Sequence, residues 1–75
     1  MAGRATLTGH ARRQAARRGI AESTVLGVAV SPEQTLVVRP RHEVRQSRVT
    51  LPDGACRLLR VVVDLVEGDM TVVTV

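Results

Sequence analysis

The pattern of apolar and polar residues predicts helices in the first part of the chain and strands in the second. From residue 7 onward, apolar residues recur every four positions, which is the spacing of one face of a helix. This face carries Leu7, Ala11 and Ala15. Thr8 is a good N-cap residue, and Gly19 has the conformational freedom that ends many helices. Residues 8–18 are therefore predicted to form the first helix.

A second short helix is predicted over residues 22–30, before the Ser31-Pro32 pair that ends it. The positions expected to be buried are Val25, Leu26 and Val28 or Ala29. Because Gly27 and the valines lower the helix propensity of this segment, packing against the rest of the chain must stabilise it.

Four β segments follow the helices, and two tight turns at residues 52–54 and 67–69 connect the last three. The segments are residues 35–39, 44–51, 56–66 and 70–75. Alternation in the third segment places Leu59, Val61, Val63 and Leu65 toward the helices. The order predicts one α+β domain over residues 1–75, with two helices packed on an antiparallel sheet of about four strands. Residues 1–7 are expected to be flexible, and the valine-rich last strand to lie at a sheet edge.

Composition limits both the core and the chemistry of a chain of 75 residues. The sequence has no Phe, Tyr or Trp, which excludes the aromatic platforms on which many proteins stack single-stranded nucleic acid. Cys56 stands alone, so no internal disulfide can form, and it is expected to be a small core residue. A small core without a staple favours a partner, either a second copy or another protein.

Charge is distributed in blocks along the chain. The net charge is +4, and all eleven of the Lys and Arg residues are arginines. Residues 1–18 hold five arginines and no acid, and residues 39–60 hold six arginines and two acids. Such blocks favour an anionic partner such as RNA, or else form a solvated face that binds nothing. No apolar run approaches the ~20 residues of a membrane span, and we expect a cytoplasmic protein.

Two histidines are the candidates for proton transfer near neutral pH. His10 shares a helical face with Arg13 and Arg17, so it either acts beside a bound phosphate or packs at the helix start. His42 is expected in a solvated loop. A further set of arginines on neighbouring strands either converges on one sheet face or forms cross-strand pairs with Glu43, Asp64 or Glu67: Arg45, Arg48, Arg57 and Arg60. No metal-ligand cluster and no glycine-rich phosphate loop is present in the sequence, so no metal or cofactor is predicted.

Several segments resemble, in order and spacing, a small bacterial family of domains of unknown function related to the RelE and BrnT ribonuclease toxins. They are His10-Ala11-Arg12-Arg13, Arg17-Arg18-Gly19-Ile20, Pro32-Glu33, residues 58–64 (LLRVVVD) and residues 71–75 (TVVTV). The resemblance covers about residues 8–75. It implies a RelE-like fold, metal-independent RNA cleavage and a cognate antitoxin partner. By position, it implies catalytic roles for His10, Arg18 and Arg60.

Two main functional hypotheses follow, and a third role is non-enzymatic binding of nucleic acid through the arginine blocks. In the first, the chain is a toxin-like module that binds or cleaves RNA, with His10, Arg18 and Arg60 as catalytic groups. Its RNA-binding residues would be Arg13, Arg17, Arg45 and Arg48. In the second, the chain is an inactive interaction module that pairs through its valine-rich sheet edge, in a homo-oligomer or a hetero-complex. The resembled family usually continues past the last strand with a Lys- and Tyr-rich segment that this sequence lacks.

Overall fold

A five-stranded mixed β-sheet carries two α-helices on one of its faces. The computed structural model describes residues 4–75. In chain order the elements are β1 (Ala5–Leu7), α1 (Gly9–Arg17), α2 (Glu22–Val30), β2 (Gln34–Arg39), β3 (His42–Thr50), β4 (Cys56–Val66) and β5 (Asp69–Thr74). The predicted α+β class with two helices before the long strands is confirmed.

The two helices begin and end where the sequence signals predict. The Thr8 side-chain oxygen accepts a hydrogen bond from the backbone N–H of Ala11 at 3.1 Å, and Gly19 follows α1 at a φ of +67°. The buried residues of the helices are Ala11, Ala15, Val25, Val28 and Ala29. Within residues 4–75, neither helix has the length and apolarity that crossing a membrane requires.

The sheet departs from the prediction at the start of the chain. Its strand order is β1-β5-β4-β3-β2, and β1 pairs with β5 in parallel while the other neighbours are antiparallel. The prediction of a purely antiparallel sheet of about four strands is therefore wrong. The prediction that residues 1–7 are flexible is wrong for residues 5–7, which form β1; residues 1–3 lie outside the described residues. Three residues are too few to show the alternation of apolar and polar residues that identifies a strand. β1 forms because it pairs with β5, which lies far away in the sequence.

This added strand also changes which strands form the edges. The last strand, β5, lies between β1 and β4, so the prediction that it is a sheet edge is wrong. Gln14 and Arg18 of the first helical segment bond the backbone N–H and oxygen of Val75, just past β5. The edge strands are β1, with three residues, and β2, with six.

The core lies between the helices and one face of the sheet. Leu59, Val61 and Val63 of β4 are buried there, as the alternation predicts. Val72 of β5 and Leu7 of β1 complete this layer. We call the opposite face, which neither helix covers, the open face.

Cys56 is exposed, so its predicted core position is wrong; it begins β4 next to the turn, outside the packed layer.

Candidate functional site

The four strand arginines do not share one face, so the prediction that they converge is wrong. Arg45 lies opposite Val61 and Arg57 opposite Val49, whereas Arg48 lies opposite Leu58 and Arg60 opposite Gln46. Since successive residues of a strand alternate between faces, Arg45 and Arg57 belong to the helix side, and Arg48 and Arg60 to the open face. The spacing of these arginines in the sequence could not predict which face each one occupies, because it does not determine the register of the hairpin.

Arg45 joins the sheet to the helix layer. Its Nε and Nη2 donate to Glu43 Oε1 at 3.0 and 2.9 Å, and its Nη1 donates to the carbonyl oxygen of Ala29 at 2.6 Å. Only 17% of its side chain is exposed. The guanidinium of this predicted RNA-binding residue is engaged by neighbouring groups of its own chain.

Arg48 forms a bidentate ion pair with Glu33. Its Nη2 lies 3.0 Å from Glu33 Oε2, and its backbone N–H donates to Glu33 Oε1 at 2.7 Å. Hydrogen bonding to the Arg48 side chain and backbone lowers the pKa of Glu33 from 4.5 to about 2, and Glu33 raises the pKa of Arg48. The pair neutralises this second predicted RNA-binding arginine at the start of β2.

Arg18 and Arg60, for which the resemblance implies catalytic roles, lie close together. They line one cavity of about 400 Å³ with Leu58, Leu59, Val62, Thr74 and Val75. We call this cavity the arginine notch. It exists because β5 ends at Thr74, opposite Val62, which leaves the first half of β4 without a neighbour on that side among the described residues. The end of α1 brings Arg18 to this gap.

The surroundings of the arginine notch are basic. Arg57 and Arg18 line an adjoining cavity of about 420 Å³, together with one acid, Asp53. Arg60 Nε donates to Gln46 Oε1 at 3.0 Å, a neutral partner. Within residues 4–75, Arg18, Arg57 and Arg60 have no Asp or Glu side chain within 4.0 Å. Their charge is therefore available to an anion.

His10 does not join Arg18 and Arg60. His10 and Arg18 stand eight residues apart at opposite ends of α1, a rise of about 12 Å along the helix. His10, Arg13 and Arg17 are exposed on the outer surface of α1. His10 lines neither the arginine notch nor the adjoining cavity. The structure thus brings together two of the three residues predicted to be catalytic.

His42, expected in a solvated loop, is instead the first residue of β3 and faces Asp64 directly on β4. His42 Nδ1 and Asp64 Oδ1 are hydrogen-bonded, and both side chains are about one third exposed. When Nδ1 donates to the carboxylate, Nε2 is the nitrogen that exchanges a proton with a ligand. Sequence reasoning missed this pair, although a hairpin register centred on residues 52–54 would have placed the two residues opposite each other.

Arg39 lies next to His42 on the neighbouring strand. Arg39 of β2 lies opposite His42, so Arg39, His42 and Asp64 stand side by side across three strands. The three line a cavity of about 390 Å³ with Val38, Val62 and Val73. Val62 also lines the arginine notch. On the same strand, Arg60 and Asp64 are four residues apart, about 13 Å along β4.

The comparisons with known proteins give one match. Neither the curated proteins nor the solved structures include a match to this chain. Within residues 4–75, no group of three or more His, Cys, Asp or Glu side chains is arranged to hold a metal ion. The comparison with protein families matches residues 7–75, and the chain therefore belongs to the family described as Domain of unknown function (DUF4258).

Proposed function

We propose that this chain is a toxin-like module that binds single-stranded RNA through its phosphates and cleaves it without a metal ion. The observation that carries the proposal is the arginine notch and the His42–Asp64 pair in adjacent cavities that share Val62. One supplies positive charge without an acidic partner, and the other supplies an oriented acid–base group. The resemblance to RelE- and BrnT-like toxins adds the expectation of a cognate antitoxin.

Binding is proposed to run through the phosphate backbone. Guanidinium groups bind phosphate bidentately, and the absence of aromatic residues leaves arginine and backbone contacts to hold the strand. With Arg18, Arg57 and Arg60 each contacting one phosphate, the logarithm of the binding constant should fall with the logarithm of salt with a slope of about −2. Binding that ignores salt would contradict this interface.

Cleavage is proposed to start at His42. Its Nε2 accepts the proton of a ribose 2′-hydroxyl, and the 2′-oxygen forms a bond to the adjacent phosphorus. The bond from phosphorus to the 5′-oxygen breaks, and that oxygen takes a proton from water. The hydroxide that remains takes the proton from His42 Nε2, which restores the neutral imidazole. The products are a 2′,3′-cyclic phosphate and a 5′-hydroxyl end. Arg39 stabilises the negative charge that develops on the phosphate, and Asp64 orients the imidazole.

The decisive experiment compares RNA and DNA oligonucleotides of one sequence in the presence of EDTA. We expect the RNA to be cut and the DNA to be bound but left intact, because DNA lacks the 2′-hydroxyl. His42→Ala should lower the cleavage rate at least about a hundredfold while preserving RNA affinity. Intact RNA after prolonged incubation with the wild-type chain would overturn the cleavage proposal.

Two matched variants locate the catalytic group. His10→Ala removes the other histidine, which lies on the exposed surface of α1, and should leave cleavage unchanged. If His10→Ala abolishes cleavage and His42→Ala does not, catalysis belongs to the helix histidine that the sequence resemblance implied. Asp64→Asn should slow cleavage without weakening RNA binding, since the substitution removes a negative charge beside the bound phosphate while leaving the imidazole poorly oriented.

The arginines are tested by binding rather than by rate. Arg60→Ala should weaken the binding of both RNA and DNA and make the salt dependence shallower by about one phosphate contact.

Expression of the wild-type chain in bacteria should arrest growth, and His42→Ala should relieve the arrest. If the wild-type chain cleaves RNA but does not affect growth, the proposed toxin role is wrong and the proposed nuclease activity stands.

A further inference from the structure

β2 is an apolar edge strand with no strand on its outer side among residues 4–75. All six of its residues are exposed. Leu36, Val37 and Val38 are 44%, 67% and 66% exposed, and they make up half of the large hydrophobic residues exposed in the described chain. The strand pairs with β3 on one side and has no neighbour on the other among residues 4–75. One row of its backbone N–H and C=O groups therefore faces outward.

Natural edge strands are usually protected against pairing by charges, prolines, bulges or short length. The opposite edge of this sheet is protected by length, because β1 has three residues. β2 has six residues, and residues 34–38 contain no charge and no proline. Its irregularity falls between Val37 and Arg39, near the end of the strand. The central part of β2 thus keeps the geometry that accepts another strand.

The charges that bound β2 select the orientation of a self-pairing. Glu33 precedes the strand, and Arg39 and Arg41 lie at its end. In an antiparallel pair about a two-fold axis near Leu36, Glu33 of each copy lies beside the arginines of the other. A parallel pair would place arginines against arginines. The Glu33 carboxylate also binds Arg48 of its own chain, so in the pairing it is shared between Arg48 and the arginines of the other copy.

From these observations we propose that the partner of β2 is a second copy of this chain, joined by antiparallel β2–β2 pairing into a continuous ten-stranded sheet. The pairing satisfies the outward backbone groups and covers the three exposed apolar residues. It also supplies a partner to a chain whose core is small for its surface. The proposal is argued from the edge strand alone and does not rest on RNA binding, although Val38 and Arg39 of β2 also line the cavity around His42.

Light scattering after size-exclusion chromatography tests the proposal. At about 100 µM, above the micromolar Kd expected of a small interface, the wild-type chain should elute with twice its 8.1 kDa mass. Val37→Lys should return it to the monomer mass with an unchanged circular dichroism spectrum. Val66→Lys, at a 57% exposed valine of β4, is the matched control and should remain dimeric. A monomeric wild-type chain, or loss of the dimer in both variants, would overturn the proposal.

A charge exchange tests the antiparallel orientation. Glu33→Arg alone places arginine against arginine across the axis, and Arg41→Glu alone places glutamate against glutamate. Each variant should dimerise about tenfold more weakly than the wild type. A mixture of the two variants creates opposite charges at both ends and should restore the wild-type affinity. Two weakened variants that do not recover on mixing would contradict antiparallel self-pairing through β2.

Discussion

Arg18, just past the end of α1, donates a hydrogen bond from Nη1 to the backbone oxygen of Val75 at 2.9 Å. One helical turn earlier, Gln14 Oε1 accepts the backbone N–H of the same residue at 3.1 Å. β1 pairs with β5 only from Met70 to Val72. The side chains of the first helix therefore satisfy the backbone where this short strand no longer reaches, and they fix Arg18 at the arginine notch.

The Gln14 contact should contribute measurable stability. Gln14→Ala removes the acceptor of the Val75 N–H, and we expect the free energy of unfolding to fall by about 1 kcal/mol. Arg17→Ala, at an exposed position of the same helix, should change it by less than about 0.5 kcal/mol. Urea unfolding followed by circular dichroism measures both. Equal effects of the two substitutions would show that the helix, and not the contact, determines the loss.

Two glycines should respond to alanine with opposite signs. Gly19 has a φ of +67°, where a Cβ is strained, so Gly19→Ala should destabilise the fold by about 1 kcal/mol. Gly27 lies inside α2, and apart from its chain neighbours and the backbone of its own helix, a Cβ there would have no atom within 4 Å. Gly27→Ala should therefore stabilise the fold by about 0.5 to 1 kcal/mol. Thermal unfolding of the two variants tests the signs, and destabilisation by Gly27→Ala would contradict the open surroundings of α2 at this position.

Substitution of a valine by alanine should destabilise the fold at the centre of β4 and have little effect at the end of this strand. Val63 of β4 is fully buried, whereas Val66 of the same strand is 57% exposed. Val63→Ala loses buried methyl groups and leaves a cavity, so the free energy of unfolding should fall by about 2 kcal/mol. Val66→Ala should change it by less than about 0.5 kcal/mol. Chemical denaturation of both variants is the measurement, and similar losses would place the core elsewhere.

Arg45 should behave as a structural residue although the sequence predicted an RNA contact. Arg45→Ala leaves Glu43, which is 16% exposed, and the Ala29 carbonyl without their hydrogen bonds. We expect a loss of about 2 to 3 kcal/mol in unfolding free energy. The affinity of the folded variant for RNA should stay near that of the wild type, as measured by fluorescence anisotropy. A stable Arg45→Ala variant with weakened RNA binding would assign this arginine to the interface instead.

Acid should weaken the Glu33–Arg48 pair over a defined range. Because the pKa of Glu33 in the folded chain is about 2 instead of 4.5, the pair stabilises the fold above pH 4.5 and loses this contribution as the pH falls toward 2. The stability difference between the wild type and Glu33→Gln should therefore shrink across this range. Urea unfolding at neutral pH and near pH 2.5 gives the two differences; an unchanged difference would mean that the pair does not form in solution.

The sequence predicted the local structure well where the signals are local. The cap at Thr8, the glycine after α1 and the alternating apolar residues of β4 each depend on a few neighbouring residues, and each was found in its predicted place. The ordered segments also predicted a family of domains of unknown function, and the family match covers residues 7–75 without linking the chain to RelE or BrnT toxins. Short-range steric and hydrogen-bonding preferences encode these features directly.

The candidate site could be predicted only in part. Arg18 and Arg60 were expected to act together and do line one cavity. His42 and Asp64 were not paired, because 22 residues separate them and a strand register is fixed only when turns and cross-strand contacts are made. Arg45 was assigned to RNA for the same reason, since only the register determines which face an arginine occupies.

The sequence by itself determined the two helices and the four longer strands, most of the buried faces, the excess of arginine and the absence of aromatic residues. The tertiary structure decided the order of the strands, which made β2 an edge and placed β5 inside the sheet. It also decided the register that brings His42 to Asp64 and separates Arg45 from Arg60. The physical reason is range: propensity and periodicity act over a few residues, whereas pairing between distant strands depends on the free energy of the whole fold.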